Sequence, residues 1–201
     1  EEEDLPESAQ SIADAVLDSS KSLYKVLNEL LDFSKVEAGR VHLEFRDFAL
    51  RNTIVDVIRM INPERTKKGL VLRSIVDPDI PELISGDELR IRQILINLAS
   101  NAVKFSEKGA VYISANLIET KENTLVIEFK VTDTGIGLSE DTIGRLFQPY
   151  VQADPSTSRL FGGTGLGLSI AKSYVDLMGG EIGVTSKLKE GSTFWFRMPF
   201  T

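Results

Sequence analysis

The stretch Asn97-Leu-Ala-Ser-Asn101-Ala-Val-Lys104-Phe105 lies inside a helical apolar period and sets two side-chain amides four residues apart. At that spacing Asn97 and Asn101 share one helix face, with Lys104 on its neighbouring edge. Two neutral oxygen donors and an ammonium suit a magnesium–triphosphate. The hard cation takes amide oxygen while keeping waters and phosphate oxygens. Lysine offers the phosphates a point charge. Taken alone, the pattern fits a solvated helix face with two incidental asparagines equally well. Gly86-Asp87 opens the helix, Asp87 is its candidate N-cap, and Phe105 is near its end.

Downstream, Ala110 to Ile118 and Leu125 to Thr132 read as two strands. The second runs directly into Asp133-Thr-Gly135-Ile136-Gly137. Glycine after a strand lets the backbone turn sharply and approach a flat ligand. Asp133 at the strand end could accept a hydrogen bond from an exocyclic amine such as that of adenine. By itself Asp-x-Gly-x-Gly is also ordinary turn chemistry. A short helix around Asp141 to Phe147 follows. Gln148 to Gly163 has no clear period and reads as a mobile loop. Next comes Gly162-Gly163-Thr164-Gly165-Leu166-Gly167-Leu168, opening a helix to about Met178. Amide N–H groups at a helix start bind anions, and glycine lets a phosphate approach them. There is no Gly-Lys-Ser/Thr, so this is not a Walker loop. The glycines do not follow a strand, so it is not a Rossmann turn. A flexible hinge is the simpler alternative. Glu181 to Ser186 and Ser192 to Met198 form a closing hairpin around Lys189-Glu190-Gly191.

Upstream, Val41, Leu43 and Phe45 alternate with His42 and Glu44 and predict a short strand. Phe48 to Ile61 predicts a helix stopped near Pro63, and Leu70 to Val76 a strand. Before Gly39, one long helix runs from about Pro6 to Ala38. Ile12, Val16, Ser19, Leu23, Val26 and Leu30 step in alternating fours and threes, the a/d pattern of a coiled coil or bundle. Such a stripe needs partner helices, from another copy or from further chain. A single amphipathic helix lying on the following domain is the alternative. Helices and strands interleave, with strands in neighbouring pairs. The expected class is α+β: a two-layer α/β sandwich with a mixed sheet, preceded by a long helix.

Composition narrows the chemistry. The 201 residues carry 23 Lys+Arg against 30 Asp+Glu, a net charge of −7, with no basic block. Nucleic acid is therefore a poor partner. With no Cys, disulfides, Cys-ligated zinc, iron–sulfur clusters and thiol nucleophiles are excluded. The single His, His42, excludes a multi-His metal site and a Ser-His-Asp triad. No apolar run could span a bilayer and no signal peptide is visible. The start inside the charged run Glu1 to Asp4 suggests a fragment of something larger.

The order of the clusters is an asparagine helix, a strand with Asp-x-Gly-x-Gly, a loop and a Gly-x-Gly-x-Gly helix start. It resembles the ATP-binding domain shared by sensor histidine kinases, type II topoisomerase ATPases, Hsp90 and MutL, the Bergerat-type fold. The details look like the histidine kinase branch, hybrid sensor kinases in particular. Leu30-Leu-Asp-Phe-Ser-Lys-Val-Glu-Ala-Gly39 and Asp87-Glu-Leu-Arg-Ile-Arg-Gln-Ile-Leu-Ile-Asn97 carry that likeness. So do Phe147-Gln-Pro-Tyr-Val-Gln-Ala-Asp154, Phe161-Gly-Gly-Thr-Gly-Leu-Gly-Leu168 and Gly191-Ser-Thr-Phe-Trp-Phe196. The resemblance implies ATP and Mg²⁺ as ligands. Asn101 would hold the Mg²⁺ with Asn97 beside it, and Lys104 would contact phosphates. Asp133 would bind the adenine amino group, with Gly135 and Gly137 letting the chain pass the base. Phe147 would begin the ATP lid. Gly163, Gly165 and Gly167 would hinge it and present amides to phosphate, and Arg159 could reach a phosphate. Phe105, Ile136, Thr164, Leu166 and Leu168 flank these positions in the same pocket.

In the ATPase branch a Glu is expected where this chain has Asn97, as a general base that activates water. Asparagine cannot take that role. Water attack should then be poor, and ATP should await another nucleophile, a His, in a transfer governed by positioning and charge. A complete kinase needs an acceptor His on the first helix of a hairpin, and this chain carries only the second. His42, past that helix, reads as a solvent-facing strand residue rather than a nucleophile. The expectation is therefore a two-part fragment. Residues 1–39 are the second helix of a dimerisation and phosphotransfer hairpin, and 40–201 are the catalytic domain. The partners implied are a second copy through the helix and a receiver domain, with no direct membrane contact and a cytoplasmic location. A clamp-type ATPase and a degenerate, non-catalytic ATP-binding or interaction module remain as rivals.

Overall fold

The computed structural model describes residues 7–122, 124–151 and 164–201. The chain divides into two compact units, Glu1–Arg40 and Val41–Thr201. The first is the helix α1 (Glu7–Glu37). It ends in a left-handed turn at Gly39, φ 61°. There the Gly39 N–H donates to Val36 O at 3.0 Å and the Arg40 N–H to Lys35 O at 2.9 Å. These two hydrogen bonds satisfy late helical carbonyls and need a residue without a Cβ penalty at positive φ. The apolar stripe Ile12, Val16, Leu23, Leu27, Leu30 and Leu31 is exposed along its length.

The second unit holds β1 (Arg46–Phe48), α2 (Leu50–Lys68), β2 (Val71–Val76), β3 (Ile84–Gly86) and α3 (Glu88–Phe105). They are followed by β4 (Ala110–Lys121), β5 (Thr124–Asp133), α4 (Glu140–Ile143), α5 (Gly167–Leu177), β6 (Glu181–Lys187) and β7 (Gly191–Phe200). Five strands form one sheet in the order β2-β4-β5-β7-β6, and β1 pairs with β3 apart from it. β2 runs parallel to β4, and the other neighbours are antiparallel. The mixed sheet and the two-layer sandwich agree with the sequence expectation.

The register explains the core. Ile113 pairs with Val131, and Val131 with Phe194. Phe129 faces Phe196, their rings stacked 4.5 Å apart. All five point to one face and are buried, while Lys130, Trp195 and Arg197 alternate to the other. The helices cover the first face. α3 packs against both α2 and α5 and against β4 and β5. Ile91, Ile94, Leu95, Leu98, Ala99, Ala102 and Val103 form its buried stripe.

Three local expectations need correction. The strand expected at Val41 to Phe45 is displaced to Arg46–Phe48. The Glu44 N–H donates to the Asp87 carboxylate at 3.1 Å instead of to a neighbouring strand. The pairing begins where Arg46 meets Gly86, on a strand, β3, that the sequence reading missed. His42 is accordingly exposed on an irregular segment rather than on a strand. Pro63 does not stop α2 but sits inside it. A proline in a helix interior removes one hydrogen bond and costs about 3 kcal/mol. The last turn is retained because its side chains are engaged: Arg65 donates to Leu70 O at 3.0 Å, and Lys68 reaches the end of α3. The helix closes instead at Gly69, φ 66°. The helix expected from Asp141 to Phe147 is the single turn α4, with irregular turns after it. Of the expected loop Gln148 to Gly163, residues 152–163 lie outside the described residues.

Asp87 is the N-cap of α3, as its position predicted. Its Oδ1 accepts the Arg90 N–H at 3.0 Å, while Oδ2 takes the Glu44 N–H. The carboxylate therefore fixes both the helix start and the segment entering the domain. Asp87→Ala is expected to cost about 2 kcal/mol, the upper end for a lost cap, because two N–H groups lose their acceptor. A shift in the urea midpoint at unchanged slope would measure it.

Candidate nucleotide site

α3 brings the three clusters together. Its Asn97 Nδ2 donates to Gly167 O at 3.1 Å, tying the middle of α3 to the first residue of α5. Its last carbonyl, Phe105 O, accepts the Ile136 N–H at 3.4 Å. A Cβ on Gly135 would lie 2.5 Å from that carbonyl, so only glycine lets the turn rest on the helix end. Asn101 and Lys104 lie between these two contacts, both half-buried, with Lys104 Nζ 4.9 Å from the centre of the Phe105 ring.

Asp133 ends β5 in the core layer, only 6% exposed. Its Oδ1 accepts the Gly135 N–H at 2.8 Å. Burial pushes its carboxyl above the ordinary aspartate range, and N–H donation from Gly135 and Ser192 pulls it back only in part. Among the described residues the carboxylate is held by backbone N–H groups rather than by a cation. That arrangement costs desolvation, so Asp133 is a candidate binding group.

The Asp133–Gly137 turn is held by residues far from it in sequence, which no local period reveals. The Lys189 N–H donates to Ile136 O at 2.7 Å, and the Leu138 N–H to Ser186 Oγ at 2.8 Å. Thr134 Oγ1 accepts the Ala110 N–H at 3.1 Å. The β6–β7 turn thus braces the Asp133–Gly137 turn. A signal for it was present in Gly191, whose φ is 104° and whose missing Cβ leaves room for the Asp133 carbonyl.

At the second glycine cluster, Gly165 has φ 74° and its carbonyl accepts the Tyr150 N–H at 3.1 Å. Thr164 Oγ1 accepts the Leu166 N–H at 3.1 Å. Leu166 is buried, while Gly167 and Leu168 are half-exposed at the start of α5. Phe147 is half-buried and Ile136 is exposed. Arg159 and Gly163 lie outside the described residues. Asn97→Leu would remove the side-chain donor that ties the Gly167 carbonyl to α3. It is expected to cost about 1 kcal/mol and to speed amide hydrogen exchange in the first turn of α5 more than elsewhere.

The residues fit a magnesium–triphosphate. No group of three or more His, Cys, Asp or Glu could hold a metal among the described residues. A cation here would depend on amide oxygens and on the phosphates themselves, which suits Mg²⁺. Asn97 Nδ2 donates to Gly167 O, so its Oδ1 is the atom that a cation would use, and Asn101 lies one turn further on. No helix among the described residues is long and apolar enough to cross a membrane.

Comparison with known proteins agrees with this geometry. Residues 86–201 match the family described as histidine kinase-, DNA gyrase B-, and HSP90-like ATPase. Sensor protein GacS of Pseudomonas syringae pv. syringae is 47% identical over 180 residues, which cover 90% of this chain and 20% of GacS. Among solved structures, full-length ShkA in complex with AMPPNP superposes with a TM-score of 0.84 at 33% identity, over 98% of this chain and 40% of that one. Histidine kinase ThkA in complex with the response regulator TrrA gives 0.70 at 25% identity, over 98% and 53% of the two chains. The chain spans about a fifth of the length of the curated relatives it matches.

Proposed function

The chain belongs to the histidine kinase-, DNA gyrase B-, and HSP90-like ATPase family, and from that premise we propose that it is the catalytic core of a sensor histidine kinase. It binds MgATP and delivers the γ-phosphoryl to a histidine on a dimerisation hairpin, for relay to a receiver-domain aspartate. The observation that carries this reading is Asp133, a buried carboxylate with no cationic partner among the described residues, at the end of a strand and beside two glycines. It suits the amino group of adenine, as AMPPNP binding by ShkA supports. Asn101 and Asn97 would hold Mg²⁺, which neutralises phosphate charge when bound. Lys104 and the amides at the start of α5 would hold the phosphates. Asn97 cannot take a proton from water, which favours transfer to histidine over hydrolysis.

Residues 1–39 are, on this reading, the second helix of the hairpin. The exposed stripe of α1 supports pairing with a second copy in the parent protein. The ThkA–TrrA complex supports a receiver domain as the downstream partner, on the same chain in a hybrid kinase or on another. The domain works on the cytoplasmic side, where ATP is available.

Titration calorimetry with ATP, with and without Mg²⁺, tests the nucleotide reading. Binding that weakens at least tenfold in EDTA is expected. Binding indifferent to Mg²⁺ would remove Asn97 and Asn101 from the site. Absence of binding would favour a non-catalytic module.

A further inference from the structure

The ammonium of Lys68, on the last residue of α2, donates to three carbonyls at the end of α3. These are Val103 O at 2.8 Å, Lys104 O at 2.7 Å and Ser106 O at 3.1 Å. They are main-chain acceptors at the negative end of the helix macrodipole, where a cation is favoured. The fourth carbonyl of the group, Phe105 O, faces Gly135 and Ile136 on the other side. The final turn of α3 is therefore gripped from behind by a charge and rests in front on the Asp133–Gly137 turn.

We infer that Lys68 is a positioning residue: its ammonium fixes the turn of α3 that carries Asn101 and Lys104, and so sets the phosphate side of the pocket. Asp133 is held differently, by the sheet and by the Gly135 and Ser192 N–H groups. Lys68 should therefore govern triphosphate binding more than adenine binding. Its neighbour Lys67 is exposed and serves as the control. The inference rests on the nucleotide reading above.

The test compares MgATP with adenosine by calorimetry for the parent chain, K68M, K68R and K67M. K68M is expected to bind MgATP about tenfold more weakly and adenosine within threefold of the parent. K68R, which keeps a charged donor, should restore MgATP to within threefold, and K67M should match the parent. Should K68M fail to fold, K68Q replaces it with an expected MgATP loss of about fivefold. MgATP binding by the lysine-deleted variant within twofold of the parent overturns the inference. Equal losses for MgATP and adenosine also overturn it, because they mark a general loss of fold. A parent that does not bind MgATP at all overturns the nucleotide reading, and the inference with it.

Discussion

Asp133→Asn is expected to weaken MgATP binding by about a hundredfold without lowering the thermal midpoint of the domain. A hydrogen bond to a charged group is worth about 1.5–3 kcal/mol, and a buried one lies toward the upper end. On the proposed reading the ionised carboxylate would accept from the adenine amino group, whereas a side-chain amide can set an NH₂ against it. Stability moves the other way. Burial raises the Asp133 carboxyl above its unfolded value, so the folded domain binds that proton more tightly than the unfolded chain does. The group's contribution is most favourable at acid pH. It becomes a cost as pH rises past the ordinary aspartate range and through the raised value. Removing the charge relieves that cost at neutral pH. The same shift predicts that adenosine affinity of the parent falls on acidification from a higher pH than an ordinary aspartate would give. Calorimetry across pH and a thermal scan of both proteins check the pair. A variant that binds MgATP like the parent would remove Asp133 from the site.

Gly137→Ala is expected to destabilise the domain by about 3 kcal/mol. The φ of 66° strains any L side chain, and the added Cβ would lie 2.7 Å from the Lys187 carbonyl carbon and closer still to its oxygen. Both are backbone atoms of the β6–β7 turn, which cannot swing aside as a side chain would. Left-handed strain of about 1–2 kcal/mol adds to overpacking of about 1–3. For a unit of this size the thermal midpoint should fall by about 6–12 °C. Gly69→Ala is the control. Its φ is also 66°, but nothing lies within 4 Å of the added Cβ, so only the backbone strain of about 1–2 kcal/mol is expected. Equal losses at the two glycines would show that the β6–β7 turn does not press on the Asp133–Gly137 turn.

The sequence was readable where a residue's role is local. Asp87 announced a helix start by its place before an apolar period, and Gly39 a stop. Ala110 to Ile118, Leu125 to Thr132 and Ser192 to Met198 read as strands and lie within β4, β5 and β7. Asn97, Asn101 and Asp133 were singled out from spacing and strand position, and α3 does join their clusters. What stayed hidden depends on partners distant in sequence. Pro63 reads as a stop because its local cost is visible, while the grips of Arg65 and Lys68 that retain the last turn are not. The segment Val41 to Phe45 alternates like a strand, but its backbone goes to Asp87, 43 residues on. β3 is three residues long, too short to show a period. Ser186 and Lys189 resemble any hairpin residues until the register places them against Ile136 and Leu138.

The central claim is transfer to histidine rather than to water. The direct measurement incubates γ-labelled ATP and Mg²⁺ with this chain, and in parallel with a longer parent protein that supplies the first hairpin helix and its histidine. The expected result is no label on the short chain, His42 included, acid-labile label on the longer one, and little free phosphate from either. Rapid release of free phosphate by the short chain would contradict it. That outcome would place the protein with the water-activating ATPases and overturn the role given to Asn97.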